Sequence, residues 1–330
     1  MRAKISDIAK LAGVSTASVS RVLNHQGGYS RQTAERIMKI ADDIGYFKDR
    51  SAADLASRHN NTIGVIYTDF ETNFNDLIIR QIMTAAKQHQ LDVILMIAQQ
   101  NDPAGLTKIV RGMIERRVFA VQFISTHPSF QIINMLNRAN IFPQVIGDAT
   151  NHQVSSVSSD DTQIGYQATR YLIQKGRRRI GFAGPNVHQD YVPRLRFAGY
   201  RQALADSGLS FSPDWLYEEN YSYQAGIRAA KYYQQQIRLV DAVIGISDEV
   251  SWGLLNGFYD AQVDVPNDVA LISIDGTELC QQTRPKLTSV TQDFVTMGEK
   301  AIDQVINQRD QPHQITTTTV AFRIDPRETT

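Results

Sequence analysis

Thr16, Ala17, Ser18 and Ser20, followed by Arg21, make a run of small side chains with one guanidinium at its end. Side chains this short can approach base edges in a major groove closely enough to donate, accept or pack against a methyl group. Such a run works only if a rigid element holds it outward. The apolar residues around it supply that element, because Ile5, Ile8 and Ala12 lie at helical spacing before Gly13, and Val14, Val19, Val22 and Leu23 after it. Ser15 stands where the second helix needs an N-cap, and Gly13 clears the turn of a side chain. The spacing predicts a helix-turn-helix over Ile5 to Asn24.

A third helix follows the loop 25–29, with Ser30 as its cap, Ile37, Ile40, Ala41 and Ile44 on one face and Gly45 at its end. Tyr46 and Phe47 close a small core, so residues 1–47 form a helical headpiece. Residues 48–60 can make about two further turns, with Ala52, Ala53, Leu55 and Ala56 along one side. That is below the ~12 to 15 residues at which an isolated helix becomes marginally stable. Residue chemistry leaves two readings open. Either a matching helix of a second chain pairs with it in a minor groove, where Leu55 wedges between base steps, or the stretch is a polar linker whose Leu55 packs on the next domain.

Charge supports the first role for the N-terminus. The chain balances at zero overall, but residues 1–60 carry ten Lys and Arg against six Asp and Glu, and the remainder 24 against 28. A basic head on a mildly acidic body is expected when only the head meets phosphate. At 330 residues and 42% apolar composition the chain has material for two or three domains. Cys280 is its one cysteine, which suits a reducing cytoplasm, and neither an export signal nor a run of membrane-spanning length is present.

From Thr62 the pattern changes to short apolar strands alternating with helices. Strands are expected at 62–68, 91–98, 119–124 and 142–147, and a second set at 179–184, 215–218, 241–246 and 270–274. Continuous apolar strands between helices imply parallel sheets covered on both faces, hence two doubly wound lobes with a ligand cleft at the carboxyl ends of their strands. A Thr-rich strand, Ile315 to Phe322, is expected to return to the first lobe. The division is 61–161 with 292–330 for the N-terminal lobe and 162–291 for the C-terminal lobe, and Asp160 and Asp161 mark a crossing between them.

The chain resembles the lactose-repressor (LacI/GalR-type) family of transcription regulators over essentially its whole length. The resemblance is carried by AspIleAla at 7–9, AlaGlyValSer at 12–15 and ValSerArgValLeuAsn at 19–24, then by ArgArgIleGlyPhe at 178–182, ArgPheAlaGlyTyr at 196–200, ValPro at 265–266 and LeuThrSerValThrGln at 287–292. It implies periplasmic-binding-protein-like lobes behind an all-α headpiece, and a homodimer on a near-palindromic operator with paired hinge helices over its centre. It assigns Thr16 and Ala17 to base recognition and Arg21 to a base or phosphate, with Ser18 and Asn24 in the same segment. Ser15, Ser30 and Arg50 become phosphate contacts, while Ala52 and Leu55 join the minor-groove set. For a small sugar effector it points to Arg196 as the guanidinium fork, Asp148 and Asp275 at strand ends, Tyr221 and Phe294 as aromatic faces, Phe74 after the first strand, and Ser247 with Asp248. Ser247, Gly276 and Arg177 depart from the commoner Asn, Asp and His, which leaves the effector's identity open.

Other classes fit less well. No glycine-rich phosphate loop, nucleophile elbow or metal-spaced histidine set occurs, so neither an enzyme nor a metal or cofactor is expected. A transport protein would share the lobes but has no use for the headpiece. A corepressor or protein partner that strengthens DNA binding stays open beside an inducing sugar.

Overall fold

The computed structural model describes residues 3–24, 26–46, 60–68, 74–147, 154–188, 190–235, 240–311 and 314–330. Arg50, Ala52 and Leu55 of the expected hinge, Phe47 of the headpiece and Asp148 of the cleft lie outside them. The chain divides into two compact units, Met1–Asn60 and Asn61–Thr330.

The first unit holds α1 (Ile5–Ala12), α2 (Thr16–Leu23) and α3 (Arg31–Asp43). Gly13 ends α1 at φ +64°, a left-handed turn that costs glycine nothing. Ser15 Oγ accepts from Ser18 N at 3.1 Å and Ser30 Oγ from Thr33 N at 3.2 Å, so both caps form. Ile8, Ala12, Val19, Val22, Ile37 and Ala41 fill the centre, with Tyr46 packed on its margin. A core of this size fixes one angle between α1 and α2 and so the outward face of α2.

The second unit contains two six-stranded sheets. One comprises β1 (Thr62–Thr68), β2 (Asp92–Ala98), β3 (Ala120–Ile124), β4 (Phe142–Ile146), β5 (Ser155–Ser158) and β11 (Thr317–Thr319), in the order β11-β5-β4-β3-β1-β2 and parallel throughout. Its strands alternate: Ile63 and Val65 pack under α4 (Phe74–Gln88) and α12 (Phe294–Asp310), while Ile66 faces the opposite layer with α5 (Pro103–Glu115) and α6 (Phe130–Arg138). β2 departs from the two-sided burial expected of it. It forms the sheet's edge, and Leu95, Met96 and Ile97 are 41%, 37% and 52% exposed.

The other sheet comprises β6 (Ile180–Pro185), β7 (Leu216–Glu219), β8 (Ala242–Gly245), β9 (Ala270–Asp275), β10 (Thr288–Gln292) and β12 (Phe322–Asp325), in the order β12-β10-β9-β8-β6-β7. It is covered by α7 (Asp161–Gln174), α8 (Tyr191–Asp206), α9 (Tyr223–Gln235), α10 (Asp248–Asp260) and the short α11 (Leu279–Gln282). The tail corrects the expected division of the lobes. β11 does join the first sheet, but β12 pairs antiparallel with β10 in the second, so residues 322–330 belong to the C-terminal lobe. Backbone pairing decides this: Leu271 N donates to Thr329 O and Glu328 N to Lys286 O, which ties the tail to β9 and the segment before β10.

Three crossings therefore join the lobes, after β5, after β10 and after β11. Each leaves the carboxyl end of a strand in one sheet and reaches the corresponding end of the other. The carboxyl ends of both sheets thus face one cleft, the position at which doubly wound sheets bind ligands. No helix among the described residues is long and apolar enough to cross a membrane.

Candidate functional site

In the headpiece Ser15, Thr16, Ala17 and Arg21 are exposed, Ser18 is half-buried, and Ser30 is exposed at the start of α3. These side chains share the outer side of α2 and its flanks because Val19 and Val22 are drawn inward. The Ser18 hydroxyl lies 2.9 Å from that of Ser15, so Ser15 is engaged both by a backbone N–H and by a hydroxyl. Asn24 ends α2, with its N–H on Ser20 O and its amide on Ser20 Oγ at 3.2 Å.

The C-terminal wall of the cleft is built around Arg196. Its Nε donates to Asp161 Oδ1 at 2.8 Å and its Nη1 to the Ile246 carbonyl at 2.9 Å, with Asp275 Oδ1 3.9 Å from Nη1. Asp275 also accepts from Gln292 Nε2 at 2.9 Å, so one guanidinium, two carboxylates and one amide form a continuous chain. Arg196, Asp161 and Asp275 are all buried. Burial alone disfavours the charge on Arg196, but Asp161 and Asp275 outweigh it and hold the guanidinium more firmly protonated than in water. Burial pushes the Asp275 carboxyl well above its ordinary range, against the pull of Arg196. Burial likewise raises the Tyr221 phenol, which feels Arg196, Asp275, Asp161 and Asp190.

This geometry depends on close helix packing. A Cβ on Gly165 of α7 would stand 1.8 Å from Arg196 O, and one on Gly199 of α8 1.9 Å from Thr162 O. Only the missing side chains let α7 and α8 approach closely enough for Asp161 to reach Arg196. Asp275 itself sits at φ +111°, backbone that carries a cost for any residue except glycine and places the carboxylate at the end of β9.

The described part of the N-terminal wall presents amide, hydroxyl and aromatic groups. Asn75, buried at the start of α4, donates through Nδ2 to Thr68 O at 3.2 Å and accepts from Ser125 Oγ at 3.3 Å, while the Thr68 and Thr126 hydroxyls lie 2.7 Å apart. Phe74 and Phe294 stack with centroids 5.3 Å apart and planes 22° from parallel. His127, after β3, acts electrostatically on Asp190, before α8, and draws down a carboxyl that burial raises.

Two expected effector residues have other work. Ser247 is 1% exposed, caps α10 by accepting from Val250 N at 3.3 Å, and donates to the Tyr221 carbonyl at 3.4 Å. Asp248 is fully buried and accepts from Ser273 Oγ at 2.5 Å, Cys280 Sγ at 3.0 Å, Ser289 Oγ at 3.5 Å and Thr277 N at 2.6 Å. Its carboxylate binds α10 to β9 and β10 instead of facing the cleft. Asp160 and Asp161 also separate in role, since Asp160 caps α7 through Gln163 N at 3.0 Å. Gly276 at φ +75° fits only as glycine, because a Cβ there would lie 2.2 Å from Thr291 Oγ1.

Residues 4–49 match the profile described as bacterial regulatory proteins of the lacI family, and residues 169–330 match a periplasmic binding protein-like domain. Catabolite control protein A of Priestia megaterium is 30% identical over 305 residues, 92% of this chain and 91% of its own. The crystal structure of the Lac repressor dimer bound to operator and the anti-inducer ONPF superposes with a TM-score of 0.88 at 21% identity, covering 100% of this chain and 99% of that one. A complex of the transcriptional regulator CelR with cellobiose superposes with a TM-score of 0.75 at 24% identity over 100% of both chains.

Proposed function

The chain belongs to the lacI family of bacterial regulatory proteins, which are DNA-binding transcription regulators, and on that premise we propose that it is a dimeric cytoplasmic repressor released from a near-palindromic operator by a small neutral sugar. Thr16 and Ala17 read bases, Arg21 contacts a base or phosphate, and Ser15 and Ser30 offer donors to the backbone. Ser18 and Asn24 keep α2 in shape while lying beside the contact face. Arg50, Ala52 and Leu55 complete the interface at the operator's centre.

The arrangement of Arg196 carries the effector reading. Its guanidinium already faces Asp161, the Ile246 carbonyl and Asp275, so the cleft offers oriented acceptors and N–H groups instead of an uncommitted cation. Vicinal hydroxyls both donate and accept and suit such a wall, whereas a phosphorylated or carboxylated ligand would meet Asp161, Asp275 and Asp190. Tyr221 and the Phe74–Phe294 pair supply apolar faces for the C–H side of a sugar ring. CelR, with the same fold, is known with cellobiose.

Footprinting of the full chain on genomic fragments, with neutral sugars, sugar phosphates and no addition, tests the proposal. Protection of a palindromic site that a neutral sugar lifts is the expected result. Protection strengthened by a ligand would make the effector a corepressor, and protection lifted only by a phosphorylated sugar would reject the neutral-ligand reading.

A further inference from the structure

The three crossings between the lobes are not equivalent. Those after β5 and β10 leave interior strands, whereas the third leaves β11, an edge of the first sheet among the described residues. β11 and its lead-in, residues 314–319, read GlnIleThrThrThrThr and contain one apolar residue, Ile315, which is 54% exposed. Thr316, Thr317 and Thr319 are exposed as well, and the first buried side chain is Val320, just before the crossing. Apolar burial therefore contributes little ahead of Val320, and polar bonds stitch the segment down. Gln308 of α12 donates through Nε2 to Gln314 O, Thr316 N donates to Ser155 Oγ at 3.0 Å, Ser156 N to Thr316 O at 3.0 Å, and Val320 N to Ser158 O at 2.9 Å.

One side chain of α12 joins this segment to the interior of the lobe. Gln304, buried, donates through Nε2 to Ser156 O at 3.1 Å and to Thr318 Oγ1 at 2.8 Å. Both of its N–H groups are thereby used, and its Oε1 accepts from Gln144 Nε2 at 2.8 Å. The Gln144 amide of β4 is fixed in turn, because its Nε2 also donates to Ala301 O at 3.2 Å and its Oε1 accepts from Gln122 Nε2 of β3 at 2.7 Å. A reversed amide would set oxygen against the Ala301 carbonyl. The sheet interior thus decides which way the Gln304 donors point.

We propose that residues 314–320 are a strap, latched by Gln304, that opens as a local unit while the sheet and the other two crossings stay folded. Short edge segments with exposed backbone and few apolar contacts open at a free energy below that of global unfolding. Closed, the strap is a third fixed connection between the lobes. Open, it leaves the crossings after β5 and β10, and two connections permit a rotation about the line joining them that a third opposes. Gln304 lies on the helix that begins at Phe294, so the latch and one aromatic face of the cleft belong to a single rigid element.

Amide hydrogen exchange of the full chain, read by mass spectrometry over peptides spanning 314–320 and β3, tests the strap. Residues 314–320 are expected to exchange faster than β3 and with little dependence on urea below the unfolding transition, while exchange of β3 accelerates with urea. Ile66→Val weakens the core at β1, three strands from β5, and should speed exchange of β3 severalfold while leaving 314–320 unchanged, because the contacts it loses persist when only the strap is open. Thr318→Val keeps the β-branched shape, removes the acceptor of Gln304 and should speed exchange of 314–320 by about fivefold or more. Thr319→Val, at an exposed position beside it, should not. If 314–320 follows urea or Ile66→Val as β3 does, the segment opens only with the whole lobe and the strap is rejected. If Thr318→Val has no more effect than Thr319→Val, Gln304 is not its latch.

Discussion

Arg196 and Asp161 form a buried ion pair, Nε to Oδ1 at 2.8 Å, in which both side chains are less than 10% exposed. The guanidinium expected to meet the effector is thus held by the first residue of α7 before any ligand arrives. Removing one partner of such a pair leaves a buried charge uncompensated, at a cost of about 3 to 5 kcal/mol. Asp161→Ala should lower the denaturation midpoint of the core accordingly and abolish the sugar response, with operator binding retained where the core stays folded. Arg196→Ala, which strands Asp161 and Asp275 together, should destabilise at least as much. A normal sugar response in either variant rejects the assigned role.

The neighbouring carboxylate makes ligand-free stability depend on pH. Burial raises the Asp275 carboxyl well above its ordinary range, so over the window between its unfolded and folded values the folded chain holds a proton that the unfolded chain has lost. Its contribution to stability is complete below the unfolded value and is lost as pH rises through the folded one. Asp275→Asn removes this component and should flatten the decline. Urea titrations of both chains at about pH 5 and about pH 8 read the difference in slope; parallel profiles would show that Asp275 ionises as freely folded as unfolded.

Packing makes a further claim on the same arginine. Alanine at Gly165 would put a methyl 1.8 Å from Arg196 O, a distance only movement of α7 from α8 can relieve. Overpacking of this kind typically costs ~1 to 3 kcal/mol. The displacement falls on the residue that positions the guanidinium, so Gly165→Ala should weaken sugar binding beyond its effect on melting temperature. If sugar affinity is unchanged in a folded variant, the close approach of the helices does not position Arg196.

Much of this could be read from residue order, for reasons the structure makes physical. Strands such as Thr62–Thr68 are apolar toward both faces, and Ser15 and Ser30 cap helices whose apolar stripes are unambiguous. β5 carried no such signal, because Ser155–Ser158 is buried largely through polar bonds: Gln304 Nε2 donates to Ser156 O at 3.1 Å and Thr316 N to Ser155 Oγ at 3.0 Å. Asp248 resembles a ligand residue by its place after a strand. Only the convergence of Ser273, Thr277, Cys280 and Ser289 from distant positions shows it committed inward. Asp161 is half of an adjacent acidic pair whose other half is a helix cap, and Gln292 meets Asp275 only through the pairing of β10 with β9, a relationship that residue order does not display.

The edge strand β2 provides the last prediction. Leu95, Met96 and Ile97 leave apolar side chains exposed on a strand with one unpaired edge, a combination that a soluble monomer normally avoids. A second copy of the core is expected to cover this face in the dimer. Leu95→Lys places a charge in that face while leaving the β1 pairing of the strand intact. Sedimentation should show the variant monomeric at concentrations where the parent chain is dimeric, and operator affinity should fall by about a hundredfold or more as the two half-sites lose their linkage. Ligand-free melting of the parent chain should fall on dilution as the dimer dissociates, and that of the variant should not depend on concentration. A variant that remains dimeric with full operator affinity would place the dimer contact elsewhere on the core.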